Sequence, residues 1–149
     1  DLGDSLGFYV GYDSASRTVL VDTNRSAEFN QNQLERKEEI MIKFGTSLVG
    51  KVSYEDVDCS QFVGAIIDYA GINLQVPPWT WTIGSSPALE EIPMSELKRG
   101  DILNRSDRPN QHVMIYIGNG QILESVPKLG VRIGKLRTEG YTAYRFISY

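Results

Sequence analysis

The sequence is poor in the residues that build disulfides and metal sites. It contains one cysteine, Cys59, and one histidine, His112. A single cysteine cannot form a disulfide within the chain, and one Cys with one His excludes a zinc finger or another Cys/His-rich metal site. The same two side chains can still serve as a nucleophile and its base. We therefore expect neither a metal nor a cofactor.

Long apolar runs and an excess of basic residues are also lacking. No run of about 18 apolar residues occurs, so we expect no membrane span. Lys and Arg number 15 against 19 Asp and Glu, a formal net charge of −4, which argues against a nucleic-acid partner. The chain begins with Asp1 and carries no signal-peptide pattern. We expect a targeting segment to have been removed from it.

The chain length and the local patterns predict one compact α+β domain with an N-terminal extension. Its 149 residues suit a single domain. Residues 8–12 and 18–22 are two β-prone runs around a polar loop, and they predict a hairpin. We assign residues 1–33 to an extension that carries this hairpin, and residues 34–149 to the main domain. We expect a monomer.

Two amphipathic helices are predicted in the first half of the main domain. Residues 24–33 are polar and predict a connection, whereas residues 33–49 have apolar side chains at helical spacing. Residues 59–70 form a wider apolar stripe, with Asp58 at the N-cap position and Gly71 just past the end. Residues 73–93 contain four prolines with Trp79 and Trp81, and they predict a long irregular loop.

The last third of the chain predicts strands. The runs at residues 102–103, 112–117, 121–126, 131–136 and 143–149 are rich in β-branched and aromatic residues and are separated by turn residues. Consecutive strands with short connections predict an antiparallel meander. Helices first and a sheet afterwards indicate the α+β class.

Cys59 is predicted to be the first residue of the second helix. The positive end of a helix and its unpaired N–H groups stabilise a thiolate, and they can also bind an oxyanion that forms on a substrate carbonyl. This placement favours a nucleophile. The alternative is a small apolar cysteine that fills the core.

His112 opens an apolar strand and lies near the edge of the sheet. It could accept the thiol proton and return it to a leaving amine, or it could be a surface histidine without a catalytic role. The turn that follows leaves two registers open. A two-residue Asn119–Gly120 loop points Glu124 away from the His112 face. A three-residue loop with left-handed Gly120 puts Glu124 on that face, where it could orient the imidazole.

Several segments resemble the NlpC family of papain-like cell-wall peptidases. They are Asp-Cys-Ser-Gln-Phe at residues 58–62, Gly-Asp at residues 100–101, and His-Val-Met-Ile-Tyr-Ile-Gly-Asn-Gly at residues 112–120. The likeness covers residues 34–149 and leaves the N-terminal hairpin outside. This chain departs from the family pattern at Gln61 and at Met114, where the family has glycine.

The resemblance implies a papain-like α+β core in which the nucleophile opens a helix packed on an antiparallel sheet. By motif, Cys59 corresponds to the nucleophile and His112 to the general base and acid. The orienting residue falls twelve positions after the histidine, at Glu124. The family commonly has histidine there, and the position agrees with the three-residue register.

The implied activity is hydrolysis of peptidoglycan stem peptides, at the amide bond between γ-D-glutamate and a diamino acid, outside the cell or in the envelope. Alternatives are an acyltransferase that uses the same thioester and a catalytically silent wall-binding domain. Asp58 and Ser60 could contact substrate, although Asp58 could equally be only a helix cap. Tyr54 could stand beside the nucleophile. Trp79 and Trp81 could form a cleft wall, or they could be core aromatics that pin the loop.

Overall fold

The structure, a computed structural model, describes residues 10–13, 18–21 and 23–149, with side chains from residue 25 onward. It divides into two compact units, residues 1–36 and 37–149. In the first unit, strand β1 (Val10–Asp13) pairs antiparallel with β2 (Thr18–Val21). The other residues of the predicted hairpin lie outside the described residues. The domain boundary after residue 33 stays a prediction.

Helix α1 (Thr23–Ser47) begins ten residues earlier than the sequence pattern predicts. The prediction of a connection over residues 24–33 is therefore wrong. That stretch contains neither Gly nor Pro, so nothing breaks a helix, but its polar character gives no apolar periodicity to detect. Gln31 donates a hydrogen bond to Glu35 one turn later, at 3.2 Å, across the predicted start.

Helix α2 (Cys59–Tyr69) begins at the predicted residue and ends one residue before the predicted end, with Ala70 as its C-cap. Its apolar stripe of Phe62, Val63, Ile66 and Ile67 is buried. Gly71 follows the C-cap with φ of +76°, the left-handed conformation that ends many helices. The ring of Phe44 in α1 stacks on that of Tyr69, with centroids 3.8 Å apart.

Six strands form one antiparallel sheet in the order β3-β8-β4-β5-β6-β7. The strands are β3 (Leu89–Ile92), β4 (Ile102–Arg105), β5 (His112–Gly118), β6 (Gln121–Val126), β7 (Gly130–Lys135) and β8 (Thr142–Phe146). Strands β4 to β7 form the predicted meander. The α+β architecture is confirmed.

Two details of the predicted sheet are wrong. Strand β8 does not follow β7 but pairs with β4 at the free edge of the meander. Strand β3 lies inside the segment predicted to be irregular, and it pairs with β8. Its sequence, Leu-Glu-Glu-Ile, does not alternate, because only the first and last side chains are buried. Period-two patterning therefore could not reveal it.

The two faces of the sheet have different neighbours. On one face, Gly45 of α1 packs closely on Leu123, Phe62 and Ile66; a Cβ on Gly45 would lie 2.6 Å from a Leu123 methyl. The other face carries a buried cluster of Ile92, Leu103, Met114, Ile122 and Ala143. Side chains alternate along a strand, so His112 and Met114 of β5 lie on this second face.

Candidate active site

Cys59 is the first residue of α2, and a capping box fixes the start of the helix. The Asp58 side chain accepts a hydrogen bond from the Gln61 backbone N–H at 2.9 Å, and the Gln61 side chain accepts one from the Asp58 N–H at 3.0 Å. Gln61, a departure from the family pattern, therefore completes the cap. The backbone N–H groups of Cys59 and Ser60 precede the first intrahelical hydrogen bond, so they have no partner within the helix.

The segment before Cys59 is attached to the strand that carries Glu124. The buried hydroxyl of Ser125 donates to the Val57 carbonyl at 2.6 Å. Tyr54 in this segment is half-buried. Burial raises the pKa of Tyr54, and the nearby charges of Cys59 and Asp58 raise it further. The role of Tyr54 beside the nucleophile stays a prediction.

A bulge in strand β5 determines which face Glu124 occupies. Asn119 and Gly120 both have positive φ, 54° and 71°, and form the turn between Gly118 and Gln121. The register then shifts between Tyr116 and Gly118, so that Ile115 lies opposite Leu123. One step further, Glu124 comes opposite Met114, on the face of His112. This is the register expected for a three-residue loop, but Gly118, with φ of +90°, provides the bulge instead of Gly120.

His112 and Glu124 form a short hydrogen bond. His112 Nε2 lies 2.7 Å from Glu124 Oε1. The His112 side chain is 13% exposed and that of Glu124 is 0% exposed. His112 is thus enclosed, which excludes the alternative of a surface histidine. The Tyr141 ring meets the imidazole edge-on, with centroids 6.4 Å apart.

Two arginines that the sequence analysis missed complete the surroundings of Glu124. Arg132 Nε donates to Glu124 Oε2 at 2.9 Å, and Arg132 Nη2 lies 2.8 Å from the same oxygen. Arg137 donates to Oε1 from Nη2 at 2.6 Å. Arg132 lies directly opposite Glu124 in the β6–β7 pairing. An opposite-charge pair across two predicted strands was the available signal for Arg132, whereas Arg137 follows β7 and gives no such signal.

These contacts fix the ionisation of both side chains. Burial raises the pKa of Glu124, but hydrogen bonds from His112, Arg137 and Arg132 more than offset it, and the pKa is about 2. Burial lowers the pKa of His112, but hydrogen bonds with Cys59 and Glu124 outweigh burial, and the net pKa is raised. An ionised Glu124 has no proton to donate, so His112 Nε2 carries the proton and Nδ1 is free for Cys59.

The remaining predicted site residues differ in their environments. Ser60 is half-buried, and its hydroxyl donates to Asp58 at 3.2 Å. The Asp58 carboxylate is committed to the helix cap. Trp79 and Trp81 are 45% and 58% exposed, with ring centroids 5.1 Å apart, so the alternative of a core aromatic pair is wrong. Their loop is anchored by Asn104, which donates to the Thr80 carbonyl at 2.9 Å.

The described residues thus bring together a thiol, an imidazole and a carboxylate in a row. The thiol opens a helix, the imidazole hydrogen-bonds to the carboxylate and lies beside the thiol, and the carboxylate is buried and ionised. This combination is suited to nucleophilic attack on a carbonyl carbon. Among the residues from 25 onward, no group of His, Cys, Asp and Glu could hold a metal ion.

The fold and this row of side chains define an α+β domain of the papain-like class. A sequence model of the NlpC/P60 family matches residues 44–148. The chain therefore belongs to the NlpC/P60 family.

Similar proteins share this domain within longer chains. Over 97 residues, 62% of this chain, it is 40% identical to the peptidoglycan endopeptidase RipA of Mycobacterium tuberculosis, of which the match covers 19%. Over 113 residues, 66% of this chain, it is 33% identical to the peptidoglycan DL-endopeptidase CwlO of Bacillus licheniformis, of which the match covers 24%. The chain thus spans about a fifth to a quarter of the length of these curated relatives.

Solved structures share the fold. The peptidoglycan hydrolase RipB of Mycobacterium tuberculosis matches with a TM-score of 0.68 and 24% sequence identity, covering 97% of this chain and 77% of that chain. RipD of the same organism, described as a non-catalytic NlpC/p60 domain protein adapted to peptidoglycan binding, matches with a TM-score of 0.59 and 19% identity. It covers 73% of this chain and 96% of that one.

Proposed function

We propose that this chain is a cysteine peptidase that hydrolyses peptidoglycan stem peptides. The bond is the amide between γ-D-glutamate and the following diamino acid, and the reaction proceeds through a thioester on Cys59. The observation that carries the proposal is the enclosed His112, whose Nε2 lies 2.7 Å from the ionised Glu124 and whose pKa is raised by the Cys59 thiol beside it.

Each step of the reaction has a group that performs it. His112 Nδ1 takes the Cys59 proton, and the thiolate attacks the γ-carbonyl carbon of the glutamate. The backbone N–H groups at the start of α2 stabilise the oxyanion. His112 then protonates the leaving amine, the C–N bond breaks, and a thioester remains. Finally His112 takes a proton from water, the resulting hydroxide attacks the thioester, and Cys59 leaves and recovers its proton.

The other predicted residues have supporting roles in this proposal. Glu124 holds His112 in the tautomer with the proton on Nε2 and does not itself transfer a proton. Tyr54 and Ser60 flank Cys59 and contact the substrate backbone. Asp58 holds the start of the helix, which takes part in both the formation and the hydrolysis of the thioester. Trp79 and Trp81 offer exposed rings that pack against the substrate.

The relatives favour wall peptides as the substrate. RipA is named a peptidoglycan endopeptidase and CwlO a peptidoglycan DL-endopeptidase. The name DL-endopeptidase agrees with the proposed bond, which lies between a D-glutamyl residue and an L-configured diamino acid centre. With such a substrate, the protein works outside the cell or in the envelope. No helix in the described part of the chain is long and apolar enough to cross a membrane.

A silent binding domain is the alternative with a specific precedent, because RipD is described as non-catalytic. Against this alternative, the thiol, the imidazole and the buried carboxylate are all present here, and His112 Nε2 lies 2.7 Å from the carboxylate. A domain that only bound the wall would not need an ionised carboxylate buried behind an imidazole.

Digestion of purified peptidoglycan tests the proposal. Fragments released by the wild-type chain are identified by mass, and new D-glutamate carboxyl ends are expected together with free amines on the diamino acid. Cys59→Ala is the matched control and should release nothing while its circular dichroism is unchanged. Adding an amine acceptor tests the acyltransferase alternative, since transfer would join the γ-glutamyl fragment to that amine through an amide and give a product heavier than the hydrolysis fragment by the amine less one water. Binding to the wall without any released fragment would favour the silent domain and contradict the proposal.

A further inference from the structure

The Glu124 carboxylate is held more tightly than an orienting acceptor requires. Its side chain has no exposed surface, and both oxygens have cationic partners. Oε2 receives Arg132, and Oε1 is shared between His112 Nε2 at 2.7 Å and Arg137 Nη2 at 2.6 Å. Arg137 Nη1 also reaches Oε2, at 3.4 Å.

We propose that Arg132 and Arg137 are positioning residues that act on His112 through Glu124. Arg132 takes Oε2 and stops the carboxylate from rotating. Arg137 takes one side of Oε1 and leaves the other side for the Nε2 proton of His112. Together they fix which lone pair the imidazole meets. This inference rests on the proposed role of the Cys59–His112–Glu124 row and adds two residues to it.

The charges of the two arginines have a second consequence. Arg137 Nη2 and His112 Nε2 contact the same oxygen, so the guanidinium charge lies within two hydrogen-bond lengths of the ring. Glu124 sets the tautomer of His112 and raises its pKa. The two guanidinium groups limit the size of that rise, because their positive charges disfavour an imidazolium beside the same carboxylate.

Other charged and titratable groups face this site and contribute to the electrostatic surroundings of His112. Cys59 faces His112 from α2, and Arg105 of β4 lies opposite His112 in the strand pairing. Arg105 also packs over the Tyr141 ring, 4.8 Å from its centroid, and Tyr141 raises the pKa of Arg137. The arginine substitutions below leave Cys59, Arg105 and Tyr141 in place.

The two arginine side chains are 36% and 42% exposed, so they could instead contact an anionic group of the substrate. The two roles differ in what they change. A positioning residue alters the titration of His112 in the absence of substrate and lowers kcat. A residue that only binds substrate raises KM and leaves the titration of His112 unchanged.

Nitrogen-15 NMR of the imidazole tests the proposal directly. His112 is the one histidine of the chain, so a protein without a histidine tag gives a single ring to assign. In the wild-type protein, the neutral ring should carry its proton on Nε2. In Arg137→Gln, which removes a neighbouring positive charge, the pKa of His112 should rise by about one unit. Arg132→Gln should move it in the same direction and provides a second test if the first variant does not fold.

Two variants serve as controls. Arg137→Lys keeps the charge and should leave the pKa of His112 within a few tenths of a unit, while losing the planar fork lowers kcat. Arg99→Gln removes an arginine that is paired with Glu39 instead of Glu124, and it should change neither quantity. A neutral ring protonated on Nδ1, or an unchanged His112 titration in both glutamine variants, would overturn the inference. Neither result depends on hydrolysis, so failure of the proposed function would be seen separately, as a wild-type protein that releases no fragments.

Discussion

Glu124 is the residue on which the site depends most. It is a carboxylate with no exposed surface that remains ionised because three cationic or polar partners surround it. Removing one partner leaves the others, but removing the carboxylate leaves two arginines facing each other without a counter-charge. The residue therefore serves both stability and function, and its contribution to stability can be measured from the pH dependence of unfolding.

We predict that Glu124 stabilises the fold above pH 4.5 and that this contribution disappears as the pH falls. The folded-state pKa is about 2, below the ordinary value of 4.5. The unfolded state therefore binds the proton first, and stability falls as the pH drops from 4.5 toward 2. The shift corresponds to roughly 3 kcal/mol. Urea unfolding between pH 2 and pH 7 measures it.

Glu124→Gln is the matched variant for this prediction. Its amide can accept the His112 Nε2 proton, but its NH2 group would face an arginine donor, so both stability and turnover should fall at pH 7. The difference in free energy of unfolding between wild type and variant should shrink from pH 4.5 to pH 2. A constant difference over that range would show that Glu124 is not the group that titrates.

At the level of the elements, a glycine in α2 allows the tryptophan loop to pack on the helix. A Cβ on Gly64 would lie 2.6 Å from Pro78 Cγ and 3.0 Å from its Cβ. The proline begins the segment that presents Trp79 and Trp81. The helix therefore tolerates a residue with poor helical propensity in exchange for this close contact.

We predict that Gly64→Ala destabilises the protein, although alanine is the better helix former by about 1 kcal/mol. The added methyl must displace Pro78, and overpacking of this kind typically costs about 1–3 kcal/mol. Urea unfolding of Gly64→Ala, Pro78→Ala and the double variant forms a thermodynamic cycle. In the double variant the added methyl no longer meets the Pro78 ring, so the stabilisation from the higher helix propensity of alanine should become measurable. Additive effects of the two substitutions would contradict the contact.

The sheet register shows where sequence reasoning succeeded and where it did not. The turn alone left two registers open, and the family motif, which places the orienting residue twelve positions after the histidine, favoured the one that puts Glu124 beside His112. The residue that forms the bulge was not predicted correctly, because Gly118 forms it instead of Gly120. Gly118, Asn119 and Gly120 can all adopt positive φ, and the sequence does not say which of them becomes the bulge. Strand β3 and the polar first turns of α1 were missed because neither has the periodicity on which such predictions rest.

At the level of the whole molecule, the α+β class and the positions of Cys59, His112 and Glu124 could be read from motifs and spacing. The pairing of β8 with β4 could not be predicted in this way. The two strands lie about 40 residues apart in sequence, and local patterns do not indicate which strand β8 pairs with. Arg137 joined the site for the same reason: it follows a strand and reaches Glu124 only through the tertiary fold.

The net charge of this chain predicts how the proposed hydrolysis depends on salt. A chain with a formal charge of −4 is repelled by anionic wall polymers, and salt screens that repulsion. We expect kcat/KM on intact walls to rise about twofold to fivefold between low and physiological ionic strength. An uncharged stem-peptide analogue should show no such rise. A fall in kcat/KM on walls would indicate attraction through a local basic surface.

The proposed mechanism depends on a thioester at Cys59, which mass spectrometry of the acid-quenched protein can detect. The wild-type chain is mixed with a synthetic stem peptide, quenched within the first turnovers and digested. We expect the peptide containing Cys59 to gain the mass of the γ-glutamyl fragment and hydroxylamine to remove it, and we expect Cys59→Ala neither to gain the mass nor to cleave the substrate. Cleavage by a folded Cys59→Ala protein, or acylation at another residue during turnover, would contradict it.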